Sequence, residues 1–599
     1  MYELIKQSAG KTYDHNSYYL LDEKATVVYP EGATEEYITM VVKIINEKGI
    51  DNWKEVSLNY NSNSQYLLVE KAEAVKKNGN KIKAEQSSNQ LVFTGLEAGD
   101  ALYIKYKIQH YSQGRLAKEF WDRYTFNAYV PVEKARYSLL VAKNISLHHK
   151  MMNAPVKPTI SNYDDFVLYS WEMKDPAVAK PEKFMPPLND VGPALYLSTL
   201  SSWADIAAWY SDLSSSKTED DFEVKQVYEE LFPKGKGMMS EAECAKIIYS
   251  YITGNIRYSS VSFRQSAYVP QKAAVTINTR LGDCKDLSSL FVGLAKLAGV
   301  KANLVLVNTR ENGLHSMAMP SVEFNHCIVK TTLDGKEYFL ELTDNDLPFA
   351  SLPSNLYKAA YLVIPEKSSD TAGAQLKYLY TTNRIKDRVR RNIGVVIEGN
   401  DIKMSIKAVK TGSLSSGLRS DFGKLTNEKQ KEEMEKSVSS WYKNPVKLTS
   451  ISFTGLESLS DSVSFECKYK VTNEVTEVGD MGMIKIPFGD IIASIDNLTE
   501  DERKFPIEYW SYEDTDEYET TITVTAPTSK QFVEIPKNES CTFNGSTYSL
   551  QFVKKSNTQL EITRRAKIQR DDVLPADYAA LKMFFNKIIK AESKYIAFK

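Results

Sequence analysis

Charge of neither sign is in excess: 75 Lys and Arg stand against 77 Asp and Glu, for a net of −2. No global field therefore draws the chain to nucleic acid or anionic lipid, and no nucleic-acid partner is expected. Cysteine is scarce. The five (Cys244, Cys284, Cys327, Cys467, Cys541) are odd in number and contain no Cys-x-x-Cys pair, which is not a disulfide framework; most are read as small buried hydrophobes. With only six histidines a zinc site has little to draw on, and His148-His149 is read as a surface pair in a β region. No metal and no cofactor is expected. An uninterrupted apolar run of membrane-spanning length is missing, as is a charged-then-apolar leader before Lys11, so neither a transmembrane segment nor an export signal is read. Walker A, GxGxxG, HExxH and EF-hand patterns are absent too.

What is present is ordinary globular material, 42% hydrophobic and 25% charged over 599 residues, enough for several cores. Short alternating runs such as Ala25 to Tyr29, Tyr37 to Ile45 and Leu102 to His110, broken by Asn78-Gly79-Asn80 and Gly99-Asp100, predict an N-terminal β-sandwich over 1–195. The proline-dotted stretch Pro176 to Pro193 is read as a connection without regular structure. From Ser202 the period changes: Trp203, Ile206, Ala207 and Tyr210, then Ala245, Ile248, Tyr251 and Ile252, recur at helical steps. The middle domain, 196–370, continues with a helix from about Cys284 to Ala298, a strand at Ala302 to Asn308 and β runs at Phe324 to Thr331 and Lys336 to Thr343. After Asn392 alternation returns (Gly394 to Ile397, Ser464 to Val471, Thr520 to Ala526), predicting a second sandwich over 371–599. One helix after Pro575, with Tyr578, Leu581, Phe584, Phe585 and Ile588 in its stripe, closes it and is read as docked on its own domain. The fold class is therefore α+β and multidomain.

The segment Arg280-Leu-Gly-Asp-Cys-Lys-Asp286 is the most distinctive in the chain. Gly282 supplies a turn and Asp283 an N-cap, so Cys284 falls in the first turn of the helix whose stripe is Leu287, Leu290, Phe291 and Leu294. Aligned amides at a helix N-terminus favour a thiolate there. Asp283 and Asp286 oppose that effect and Lys285 partly offsets them, so a basic partner is needed. His326, in Asn325-His326-Cys327, is that candidate. Leu333-Asp334-Gly335-Lys336 is a strong hairpin signal, and pairing 333 with 336 sets Ile328 opposite Glu341. His326 and Glu341 are then diagonal neighbours on one face, about 7–8 Å apart at the backbone, while Asp344 points to the other face; a slip of one residue reverses this. On these residues alone, an incidental cysteine, a strand histidine and a solvated glutamate remain alternatives.

The GDCKD element, Asn325-His326 on a strand and an acidic residue with Thr after a hairpin resemble the transglutaminase-like branch of the papain-type cysteine enzymes. Asn255-Ile-Arg-Tyr258 and Tyr268-Val-Pro270 resemble the approach to the cysteine in bacterial members. The three-part layout resembles the Bacteroidetes proteins that set such a core between two β domains of unassigned function. The resemblance implies a papain/transglutaminase-like α+β core with a triad: Cys284 the nucleophile, His326 the base, and an acid usually found as Asp in Leu-Asp-Pro-Thr. Here Leu340-Glu341-Leu342-Thr343 stands in that place, so Glu341 inherits the role, with Asp344 the alternative. It further implies a cysteine protease or amidase acting on a peptide or protein, and an extracytoplasmic setting, periplasmic or cell-surface. A crosslinking transglutaminase and a scaffold that has kept the fold without turnover are the competing functions. Gln265 and Tyr258 are candidate second oxyanion donors or ordinary polar residues, and the loop Asn308 to Pro320 either covers a cleft or is simply surface.

Overall fold

The computed structural model describes the chain apart from residues 9, 12, 112–113, 218–220, 260–267 and 381–382. The N-terminal alternation forms an eight-stranded sheet in which Ser17–Val28 pairs antiparallel with Thr34–Ile44 and parallel with Lys134–Ala142. Inward positions Ala135, Tyr137, Leu139 and Val141 are at most 2% exposed, as a half-buried strand of period two requires. They pack with Leu195 and Leu197, which lie on a smaller sheet of His148–Met152, Ala194–Ser198 and Trp121–Thr125. The wholly buried strand Ala194–Ser198 thus crosses the division expected at residue 195. The proline-dotted stretch before it does hold one helical turn, Leu188–Val191, begun at Pro187, where a missing N–H costs nothing.

The middle region stacks helices Trp203–Ser215, Phe222–Leu231, Glu241–Asn255, Ala273–Thr279 and Cys284–Leu297 beside a five-stranded antiparallel sheet. The strand order is Lys336–Leu340, His326–Leu333, Lys301–Asn308, Ala360–Val363, Lys377–Tyr378. Leu287, Leu290, Phe291 and Leu294, each at most 1% exposed, seat the last of these helices in the core; such burial is worth about 1.5–3 kcal/mol per side chain. That apolar anchoring fixes where the N-terminus of the helix, and Cys284, must lie.

The C-terminal region is built on a second eight-stranded sheet, in which Arg388–Glu398 pairs antiparallel with Asp401–Thr411 and parallel with Glu517–Thr525. Both flanking sheets therefore place one parallel pair next to a hairpin, although their sequences differ. The terminal helix Tyr578–Glu592 buries Leu581, Phe584, Phe585 and Ile588 in the same core as Ile522 and Ile562 of that sheet, as expected. Besides the closing helix that was expected, the region holds the helices Ser413–Phe422 and Asn427–Ser439 and the short turn of helix Tyr509–Tyr512, which the reading of a sandwich with one closing helix did not include. The second buries only Met434 and Val438, too thin a stripe to show as a period. Among the described residues no helix is long and apolar enough to cross a membrane.

Candidate active site

Cys284 is the first residue of its helix and is 3% exposed. The Asp283 side chain accepts the amides of Lys285 (3.2 Å) and Asp286 (3.3 Å), and the Asp286 carboxylate accepts the Asp283 amide at 3.0 Å. This reciprocal cap fixes the first turn. Buried Lys285 forms an ion pair with Asp283, so the two charges nearest Cys284 in sequence offset one another. Asp286 also takes the Gln271 amide at 2.8 Å, and burial pushes its carboxyl up.

The hairpin forms in the expected register, from Leu333 opposite Lys336 to Val329 opposite Leu340. Glu341 is the next residue, and its Oε2 accepts a hydrogen bond from His326 Nε2 at 2.6 Å. Its Oε1 accepts from the Thr343 amide at 2.8 Å and the Thr343 hydroxyl at 2.6 Å, and the residue is 3% exposed. The solvated reading of Glu341 is thereby corrected. Burial opposes charge on the imidazole, yet the adjacent Glu341 carboxylate and hydrogen bonds with Cys284 and Glu341 raise the His326 pKa well above the ordinary value. Burial likewise pushes the Glu341 carboxyl up, but His326 and Thr343 hold it below the usual range. With Nε2 taken by Glu341, Nδ1 is the ring nitrogen left for the thiol.

Asp344 is elsewhere: its carboxylate accepts from the Ser416 hydroxyl and from the Asp346 amide, the latter at 2.9 Å. Asn325 is bonded in both directions to Thr309, at 2.8 and 2.9 Å. Tyr258 lies beside Cys284; burial first, then the nearby Cys284, Asp283 and Glu341 charges, push its phenol up to about 12, so it keeps its proton near neutrality. Gln265 lies outside the described residues. The Asn308 to Pro320 loop carries two short 3-10 turns and is tied down, with Asp190 capping the amides of Leu314 (2.7 Å) and His315 (2.8 Å). His148 is exposed, and His149 stands edge-on to Trp171. No cluster of metal-binding groups occurs among the described residues. One site residue was invisible in the sequence: Tyr249, whose hydroxyl donates to the backbone oxygens of Glu341 (2.9 Å) and Leu347 (3.0 Å). A tyrosine inside a helical stripe reads as core, and nothing local marks its long-range partners.

Comparison with known families matches residues 232–340 to the transglutaminase-like superfamily. Residues 30–180 and 485–598 match two domains of unknown function with solved structures, DUF3857 and DUF3858. No curated protein matches the chain. The crystal structure of a "putative protease" from Parabacteroides distasonis shares the fold over 97% of this chain and 99% of its own, at 15% identity and a TM-score of 0.69. A "putative cysteine protease" from Cytophaga hutchinsonii is 13% identical over 43% of this chain and 87% of its own, with a TM-score of 0.19. The middle of the chain, at 232–340, is a transglutaminase-like domain, set between β-rich regions that match families of unknown function.

Proposed function

We propose that the chain is a cysteine peptidase or amidase working by acyl transfer. The observation that carries the reading is the hydrogen bond between His326 and Glu341 beside a thiol at a helix N-terminus. Cys284, as thiolate, attacks an amide carbonyl carbon and forms a C–S bond; the carbonyl oxygen takes the displaced electron pair. Its negative charge is met by the Cys284 amide, which has no acceptor within the helix, and by the proton of Tyr258. His326 delivers its Nδ1 proton to the amide nitrogen as the C–N bond breaks, and the amine leaves. Water then adds to the thioester, His326 takes its proton, and the acid departs as the thiolate re-forms. Glu341 holds the ring orientation and stabilises its cationic form throughout. A lysine amine in place of the water turns the same steps into a crosslink. By similarity of layout we also assign the flanking β regions to substrate presentation and the protein to an extracytoplasmic setting.

The test is iodoacetamide alkylation of Cys284, located by mass spectrometry across pH, in the wild type, His326→Ala and Glu341→Gln. Fast labelling at roughly pH 6–7 that slows without His326 supports the pair, and a peptide-library search with added amine then separates hydrolysis from crosslinking. Slow labelling that neither substitution alters sinks the enzyme and leaves a binding scaffold.

A further inference from the structure

The strand end that carries His326 and the turn that carries Glu341 are both held from outside their own domain. After Glu341 the chain leaves the ladder, and residues 341–347 run without sheet partners. Part of their fixing comes from the middle region itself: Thr343 donates twice to the Glu341 carboxylate, the Leu347 amide donates to the Asp344 oxygen, and Leu342 and Leu347 are each 1% exposed. Tyr249 holds the backbone oxygens of Glu341 and Leu347, and the Asn345 side chain donates to the Ile256 oxygen at 2.9 Å. Further ties come from the helix Ser413–Phe422 of the C-terminal region, which the sequence did not announce. Ser416 donates to the Asp344 carboxylate. Arg419, 2% exposed, donates to the Asp346 oxygen at 3.0 Å, while its other nitrogens take the oxygens of Gly455 (3.2 Å), Ser458 (2.8 Å) and Ser460 (2.6 Å). One guanidinium thus ties the turn after Glu341 to a loop of the C-terminal sheet, in a fan of donors that lysine lacks.

A second, independent tie lies on the histidine side. Arg310 is 1% exposed and donates to Glu508 of the C-terminal region at 2.6 Å, with Asp572 at 3.5 Å. Its neighbour Thr309 is the residue that binds Asn325 in both directions, and Asn325 precedes His326. Removing one partner of a buried pair of this kind strands a charge, so the connection is stiff.

We infer that Ser416 and Arg419 are positioning residues, through which the C-terminal region orients Glu341 on His326. The inference deepens the reading of the site as an enzyme and rests on it. A carboxylate displaced by about 1 Å can cost up to about a hundredfold in rate, so a turn that carries the acid and has no ladder of its own needs such fixing.

The experiment uses the full chain and measures the pH profile of Cys284 alkylation in Arg419→Lys, Ser416→Ala and Ser416→Thr, each also combined with Glu341→Gln. Circular dichroism melts confirm that each variant is folded. Arg419→Lys is expected to slow labelling at pH 6.5 by about tenfold and to move the profile toward that of a free thiol, near about 8.5. Ser416→Ala should move it in the same direction by about threefold, with Ser416→Thr restoring it. In the Glu341→Gln background neither substitution should add anything, because they act through that carboxylate. Folded variants with a wild-type profile, or effects that multiply with Glu341→Gln, overturn the inference and leave Arg419 merely structural. Should Arg419→Lys not fold, the serine series decides alone. A wild type indifferent to His326→Ala defeats the enzyme reading, and this inference with it, in proteins whose C-terminal region is untouched.

Discussion

Cys284 and Cys327 are near neighbours in the core yet differ in the polar groups around their sulfurs. Both belong to one apolar cluster with Leu304, Leu306 and Phe324, and Cys327, which follows His326 in sequence, is 1% exposed. Burial pushes its thiol well above the ordinary value, and the charge of Cys284 pushes the same way. Cys284 has the amides of a helix N-terminus and an imidazole instead. Residue type and burial are the same in both, so under the proposed reading it is the dipoles and charges converging on the sulfur that would set Cys284 apart as the nucleophile. Adjacency to the histidine in sequence counts for nothing, because successive strand residues face opposite ways.

The comparison breaks most decisively at the sulfurs themselves. Cys284→Ala should remove peptide hydrolysis and labelling at neutral pH, a loss of about 10⁴-fold or more. Cys327→Ala should leave the rate within about threefold and cost about 1 kcal/mol of stability, read by chemical denaturation; neutral-pH labelling that persists at Cys327 contradicts the contrast. Next in size, His326→Ala should slow Cys284 labelling by about 10²-fold to 10³-fold.

Glu341→Gln sharpens the contrast through stability. In the wild type the folded pKa of His326 is raised, so its contribution is fully present below the unfolded value of about 6.5 and is lost as pH rises through the folded value. Without Glu341, the imidazole loses the strongest influence favouring its charged form while burial still opposes that form and Cys284 still favours it, so the stabilisation gained on acidification shrinks. The stability gap between wild type and Glu341→Gln should therefore widen between pH 8 and pH 5.5, by about 1.4 kcal/mol for each unit separating the two His326 values. The depressed Glu341 pKa adds no pH dependence there, since that carboxyl loses its contribution only at lower pH. A gap that stays constant contradicts the pairing. The smallest effect belongs to Asp344→Asn, which keeps an acceptor for Ser416 and should change labelling by less than about threefold with an unaltered pH profile; a larger shift would return Asp344 to the acidic role.

Much of the site was legible because it is local. Asp334-Gly335 set the hairpin register, parity then put His326 and Glu341 on one face, and Gly282-Asp283 announced the start of the helix. Glutamate in place of the expected aspartate still reaches the ring, since it extends from just beyond the ladder. What stayed hidden was either thinly patterned or distant. Asn427–Ser439 is almost wholly polar, and Ala194–Ser198 follows prolines that suggested only a connection. Arg310, Arg419 and Ser416 look like solvated residues until partners far along the chain come to meet them. Asp344 remained a rival to Glu341 for the same reason: its hydroxyl partner lies 72 residues away.

The bond between Arg310 and Glu508 spans 198 residues, and this separation has a meaning in time. At synthesis rates of about 5–20 residues per second, roughly 10–40 s pass between the making of the arginine and the making of its partner. Throughout that interval the loop leading to His326 carries Arg310 without its Glu508 partner. The candidate site of this chain is therefore completed late, when most of the polypeptide has already been synthesised.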